Sequence, residues 1–486
     1  MNIAPQASPV VDRRYRTITI VITMMGLMMS AIDVTAVVLA IPNMMNDLSS
    51  NLVTMVWVMM GYLLVLTILG TQVGRIGDMF GRIRVYNLGF GLFTLGSLLC
   101  GFSPSGSSLI AFRVVQAIGG AFIASNAGAI IADTFPPSER GKAYGMFGIG
   151  AGLGQILGIL VGGALVTFLS WRYIFFINVP IGVPATIAGY FLLKERSPRL
   201  KETLDIAGML LLGAALFLVL YAINSTTGSG WSPISGLELA SALVLFGAFV
   251  LQERRIASPL LDLSLLRQRV LTASILASLV QALSSFAVLF LLMMYLQGPR
   301  GLSPWNASLL LVPGYVLSAI SISFAGGLSD RLGARVVASI GLVLQGLGVV
   351  IYSTFTLDSS LFLVTIGATV TGLGNAFFFP ANTSAIMASA PPRAYGVTAG
   401  LQRTFANMGM VGSFALALLI ASLSVPRQVA VGIFLGIGGI QGGLSADFIS
   451  GMHSALLASI SLLLVALTLS ILRGKEARTI RASASK

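Results

Sequence analysis

The stretch Gly74–Arg84 reads GRIGDMFGRIR, and Gly326–Val336 reads GGLSDRLGARV. In each, a glycine is followed four residues on by aspartate, three residues later by a second glycine, and then by arginine within two residues. The offset between the copies is 252 residues. A second pair recurs nearby: QAIGGAFIASNAGAIIADTFPP (Gln116–Pro137) lies over TGLGNAFFFPANTSAIMASAPP (Thr371–Pro392) at an offset of 255. Two segments recurring at almost one offset indicate a duplicated unit.

What separates the copies is lipid-soluble. Hydrophobic residues make up 56% of the 486 residues, charged residues 9%, and the mean hydropathy is +0.92. A soluble domain carries about 25% charged residues, so this chain lacks the polar surface to clothe a globule. It is equally unlike a disordered chain, which is poor in apolar residues and rich in charge. One cysteine, Cys100, and one histidine, His453, exclude an intrachain disulfide and Cys- or His-rich metal sites. No GxxxxGK[ST] and no HExxH occurs, which argues against an ATP-driven motor in the chain. We expect no enzyme activity, no cofactor and no metal.

A bilayer core of about 30 Å takes about 20 helical residues. Charge-free runs of that size cover 48–74, 85–112, 143–171, 173–193, 206–237, 270–299, 301–329, 336–357, 359–392, 404–426 and 448–472. Three further spans hold or adjoin one charge: 17–41 with Asp33, 107–132 with Arg113 and 236–252 with Glu238. The sum is fourteen spans. The glycine-rich run 428–446 is read as part of an extracytoplasmic loop, 425–450, because its six glycines disfavour a helix. With the N-terminus inside, 24 of the 29 Lys and Arg fall on cytoplasmic segments and three on outer loops, with Arg113 and Arg403 inside spans. That bias places both termini in the cytoplasm. The net charge of +13 then orients spans rather than binding nucleic acid.

With fourteen spans both copies of the Gly–Asp–Gly–Arg loop lie on the cytoplasmic side, so the repeats are parallel, the plan of transporters whose halves rock about a central site. Six-span halves leave room for two added helices. The expected organisation is a six-helix bundle over 1–196, two additional helices with linkers over 197–256, and a second six-helix bundle over 257–486. The fold class is all-α integral membrane, with two pseudo-symmetric six-helix bundles and two extra central helices.

The loop motifs resemble the signature of the major facilitator superfamily. The added central pair makes the chain similar to its fourteen-span drug:proton antiporter group. AIDVTAVVLAIP in span 1, RVVQAIGG in span 4, FPPSERGKAYG after it, WRYIFFINVPIG entering span 6, LDIAGMLLL entering span 7 and PLLDLSLLRQR before span 9 extend the likeness over nearly the whole chain. The resemblance implies alternating access, and it places that group's proton-coupling charges on Asp33 and Arg113. It also implies a cytoplasmic gate at the loop, here Gly74, Asp78, Gly81, Arg82 and Asp133. In span 5 the group's GxxxGPxxGG appears as GLGQILGILVGG: Gly154, Gly158, Gly162 and Gly163 remain, Ile159 replaces the usual proline, and Gln155 stands where many relatives carry a further proline.

The residues give physical reasons of their own. Asp33 lies roughly 12 Å below the outer end of span 1 and Arg113 about 9 Å below the outer end of span 4, at 1.5 Å per residue. Similar depth allows a contact or a shared cavity. Charges inside spans are costly and face the bundle interior, either as a structural pair or as a carboxylate tuned by a guanidinium. In the loop, Gly74 and Gly81 are expected to allow close backbone approach. Asp78 can face a helix N-terminus, and Arg82 can pair with Asp133. Gly154, Gly158 and Gly162 form a smooth packing face. Tyr62, Asn126, Gln155, Gln281, Asn375, Asn382 and Arg403 are candidates for a substrate cavity, against helix–helix adhesion or anchoring.

The expectation is a monomeric plasma-membrane exporter of hydrophobic or amphiphilic small molecules, driven by protons. The alternatives are a dedicated exporter of one metabolite, peptide or lipid, and a non-transporting membrane sensor or scaffold.

Overall fold

A computed structural model describes residues 12–196, 203–229, 231–256, 259–261, 265–390, 395–423 and 444–474. Among these the regular structure is helical, with one 3-10 turn at Leu265–Arg267. The helices are α1 (Arg13–Asp47), α2 (Leu52–Phe80), α3 (Arg82–Gly101), α4 (Gly106–Thr134), α5 (Pro137–Phe168), α6 (Tyr173–Phe176), α7 (Asn178–Leu192), α8 (Ile206–Ser229), α9 (Pro233–Glu253), α10 (Arg269–Gln297), α11 (Pro304–Leu332), α12 (Ala334–Tyr352), α13 (Leu361–Ser389), α14 (Tyr395–Leu423) and α15 (Leu444–Leu472). The short α6 and α7 together make one stretch, Tyr173–Leu192, giving, among the described residues, fourteen stretches long and apolar enough to span a membrane. In lipid a spanning segment must satisfy its own backbone, which helices do.

Polar caps start the helices. Asn51 Oδ1 accepts from Thr54 N at 2.8 Å, and Ser105 and Ser108 form a reciprocal capping box on α4. The apolar run at 206–237 is divided at Ser232–Pro233: Ser232 caps α9 and Pro233 opens it. The eighth span is therefore Pro233–Glu253, longer than the expected 236–252. α15 already runs from Leu444, so 444–450 is helix rather than loop. The expected loop 425–450 otherwise lies outside the described residues.

α1 packs on α5, and α4 on α2 and α3; in the second set α10 packs on α14 and α15, and α13 on α11 and α12. α8 and α9 pair with each other, and α8 touches α2 and α14. The two sets meet through α5 with α11 and α2 with α14.

The duplication is visible in atomic detail. A methyl group built on Gly119 would lie 2.7 Å from the Gly89 carbonyl oxygen, and one on Gly374 would lie 2.7 Å from the Gly341 carbonyl oxygen. Gly89 and Gly341 differ by 252 residues, Gly119 and Gly374 by 255. The α3–α4 and α12–α13 crossings thus bring backbone to backbone at equivalent glycines.

Candidate functional site

α1 and α4 bring Asp33 and Arg113 together. Both side chains are fully buried and form an ion pair through Asp33 Oδ2 and Arg113 Nη1. Gln116, one turn along α4, completes the cluster. Its Nε2 donates to Asp33 Oδ1 at 2.8 Å, and its Oε1 accepts from Arg113 Nη1 at 2.7 Å. Arg113 Nε donates to the Val58 carbonyl at 3.3 Å, and its guanidinium carbon lies 4.1 Å from the centre of the Tyr62 ring. Gln116 Nε2 and Asn178 Nδ2 both reach Ser97 Oγ, at 3.2 and 3.0 Å, and Ser97 donates to the Phe175 carbonyl at 2.9 Å. Helices α1, α2, α3, α4, α6 and α7 all contribute. Arg113 Nη2 keeps no hydrogen-bond partner.

A buried ion pair gains less than its Coulomb attraction suggests, because both charges lose water. This one is supported by a shared glutamine and an aromatic face, which lets the charges persist without a solvent shell.

The loop cluster joins three helices. Arg82 Nε donates to Asp78 Oδ1 at 2.7 Å, and Arg82 Nη1 reaches both Asp133 oxygens at 2.8 Å. Two expectations for this loop are corrected. The space around Gly74 is open, so it permits no close approach; Gly77 is the pressed residue, with Asn126 against it. The carboxylate at the start of α3 is Glu195, whose Oε2 accepts from Ile83 N at 3.0 Å; Asp78 is spent on Arg82. Gly81 matters for conformation: its φ is 108°, in the region that favours glycine.

In span 5, methyl groups on Gly154 and Gly162 would come within 2.8 Å of Ala31 and Ala36 Cβ, and one on Gly158 within 2.8 Å of the Ile32 carbonyl oxygen. This stripe seats α5 on α1. Gly163 faces elsewhere, 2.6 Å from Ser308 Oγ of α11 by the same measure. Ile159 is buried, and α5 carries no proline beyond its first turn.

The cavity candidates divide. Tyr62, Asn126 and Asn382 are buried within the bundles and do not line open space. Tyr62 lies under Arg113, Asn126 Nδ2 donates to the Phe122 carbonyl, and Asn382 Nδ2 donates to the Ser274 carbonyl and Ser278 Oγ. Gln155, Asn375 and Arg403 are exposed, and Gln281 partly so. Gln281 Nε2 donates to Gln345 Oε1 at 2.8 Å and lies 3.4 Å from Asn375 Oδ1. Arg403 Nη1 of α14 donates to the Ala124 carbonyl of α4 at 2.8 Å, bridging the two bundles.

Sequence reading missed Gln116, Ser97, Asn178 and Gln345. Gln116 stands three residues after Arg113 on α4, one turn on, and that spacing was the available signal. Ser97 and Asn178 carried none, since their meeting depends on how α3 and α7 pack.

The family model for the Major Facilitator Superfamily matches residues 23–413 and 275–484. The chain belongs to the Major Facilitator Superfamily. It is 31% identical over 407 residues to the tetracenomycin C resistance and export protein of Streptomyces glaucescens, covering 83% of this chain and 76% of that protein. It is 31% identical over 405 residues to the riboflavin transporter RibZ of Clostridioides difficile (strain 630), covering 83% and 87%. It is 30% identical over 391 residues to multidrug resistance protein 3 of Bacillus subtilis (strain 168), covering 80% and 76%. Its fold is shared with a crystal structure of a POT peptide transporter in complex with sulfate, at a TM-score of 0.66 and 16% identity over 97% of this chain and 98% of that one. A bacterial homologue of the lysosomal transporter Spinster gives a TM-score of 0.65 at 18% identity, over 95% and 97%. The superfamily membership and the helix count agree with the expected fold.

Proposed function

We propose that this superfamily member is a secondary active exporter of hydrophobic or amphiphilic compounds, driven by protons moving inward. The carrying observation is the buried Asp33–Arg113–Gln116 cluster. Asp33 accepts from two donors, both on α4. Protonating Asp33 would cancel the ion pair and leave Arg113 to Gln116, the Val58 carbonyl and the Tyr62 face. The α1–α4 contact would then weaken, and with it the packing of α1 on α5.

Two hydrogen bonds join the halves at one end. At the face opposite the termini, Gln297 Nε2 donates to the Leu39 carbonyl at 3.0 Å, and Trp305 N donates to Thr167 Oγ1 at 2.9 Å. Loosening α1 where it meets α10 would open that face, the step alternating access needs. Of the candidate cavity residues, Gln155, Gln281, Asn375 and Arg403 are those left at least partly exposed, and on this reading they meet substrate while the Asp78–Arg82–Asp133 cluster holds α2, α3 and α4 together at the terminal face during the movement. The export relatives support the direction. The resemblance to a riboflavin transporter supports a second reading, a carrier dedicated to one metabolite.

The test is collapse of an imposed ΔpH in proteoliposomes on addition of candidate compounds. Wild-type protein should dissipate the gradient with multidrug-type cations or neutral amphiphiles, and Asp33→Asn should not. Dissipation by riboflavin-like compounds alone would favour the second reading, and gradient-driven accumulation by Asp33→Asn would remove Asp33 from coupling.

A further inference from the structure

A second buried acid cluster lies away from Asp33, where the two accessory helices meet the first bundle. Asp205 immediately precedes α8 and is 1% exposed; Glu253 is the last residue of α9 and is 5% exposed. Each carboxyl has one oxygen in use. Asp205 Oδ1 accepts from Gly208 N at 2.8 Å, capping α8, and Glu253 Oε2 accepts from Leu261 N at 2.9 Å. The remaining oxygens, Asp205 Oδ2 and Glu253 Oε1, are buried without a hydrogen-bond partner. Both crowd one point: a methyl group on Gly208 would lie 2.9 Å from Glu253 Oε1 and would overlap Asp205 Oδ2. Among the described residues, neither carboxylate makes a salt bridge.

Two bare carboxylates in such a place repel each other and lack water. A single proton makes one oxygen a donor and the other an acceptor, satisfying both and leaving one negative charge. The helix ends decide which acid keeps that charge. Asp205 sits at the positive N-terminal end of α8, and Glu253 at the negative C-terminal end of α9, so the proton belongs on Glu253. The surrounding elements add few charges. From α2, Gln72 Oε1 accepts from Asp205 N at 3.3 Å, and Arg75 donates to the Thr203 and Pro259 carbonyls at 3.4 and 2.5 Å. Arg254 and Arg255 follow Glu253. On α14, packed against α8, the charged residue is Arg403, engaged with Ala124.

We propose that Asp205 and Glu253 hold one proton between them, and that this shared proton clasps α8 and α9 to each other at the terminal face. Removing the proton leaves two adjacent negative charges and loosens the accessory pair. A proton kept in the folded protein and released on unfolding makes stability greatest at acid pH and lower as pH rises past the range of ordinary carboxylates.

The full-length protein in detergent tests this by infrared difference spectroscopy and thermal unfolding across pH. Wild type should show the carbonyl stretch of a protonated carboxyl at neutral pH, lost on alkalinisation. Glu253→Gln, whose amide donates to Asp205 in place of the proton, should lack that band, and its Tm should no longer fall with pH. Asp205→Asn, which keeps the cap and donates to Glu253, should also lack the band and serves if Glu253→Gln folds poorly. Asp33→Asn should retain it, separating this site from the coupling site. A band unchanged in both Glu253→Gln and Asp205→Asn, or a Glu253→Gln variant with the wild-type fall of Tm, would overturn the proposal.

Discussion

Gly81 and Gly333 lie 252 residues apart and do the same work: each is the single residue between two spanning helices, with φ of 108° and 90°. Each closes one helix through its own N–H, to the Gly77 and Ser329 carbonyls, and opens the next. With ψ of 122° and 144° both lie outside the small left-handed α well, in a region where an L-side chain costs about 1–3 kcal/mol.

Gly81→Ala should therefore lower the unfolding temperature in detergent, and Gly333→Ala should do likewise. Gly74→Ala should be neutral or slightly stabilising, by up to about 1 kcal/mol of helix propensity, because nothing lies near that position. Equal losses at Gly74 and Gly81 would show that the loop glycines act through something other than backbone conformation.

Arg113 supplies the next expectation. Removing one partner of a buried pair strands the other charge, at about 3–5 kcal/mol. Arg113→Gln should be markedly less stable than wild type, and adding Asp33→Asn should restore much of the loss. Thermal unfolding of the four proteins in the cycle measures this; a double variant no more stable than Arg113→Gln alone would mean that the pair does not share its charge.

The second bundle does not repeat Arg113 at the equivalent position, and its geometry shows why an arginine cannot be grafted in there. At the two repeat offsets, Gly314 stands for Tyr62 and Ala368 for Arg113. A methyl group on Gly314 would lie 2.5 Å from the Ala368 carbonyl carbon, so α11 and α13 meet backbone to backbone where α2 and α4 enclose a guanidinium. Ala368→Arg should abolish accumulation of folded protein, seen as loss of the monodisperse peak on size-exclusion chromatography. Recovery of a normal peak would show that α11 and α13 can part.

Topology gives a further check. Reporter fusions at Ser197 and Lys486 should read cytoplasmic and one at Gly439 extracytoplasmic. A cytoplasmic reading at Gly439 would change the number of crossings after α14.

The sequence alone determined the fourteen spanning helices of the described residues and their duplication. Those properties rest on local quantities: apolar run length against bilayer thickness, polar caps, and glycine at an obligatory turn. It also brought Asp33 to the depth of Arg113, and Arg82 to Asp133, because charges inside or at the edge of an apolar span have few places to go. Tertiary structure decided what depth and spacing leave open. It inserted Gln116 between Asp33 and Arg113, buried Tyr62, Asn126 and Asn382, for which the sequence left cavity lining and helix packing both open, and moved the helix-start carboxylate from Asp78 to Glu195. It also brought Asp205 to Glu253 across 48 residues of chain. Each of these depends on the rotation of one helix against another. That rotation is set by the fit of many side chains at once, and no single stretch of sequence carries it.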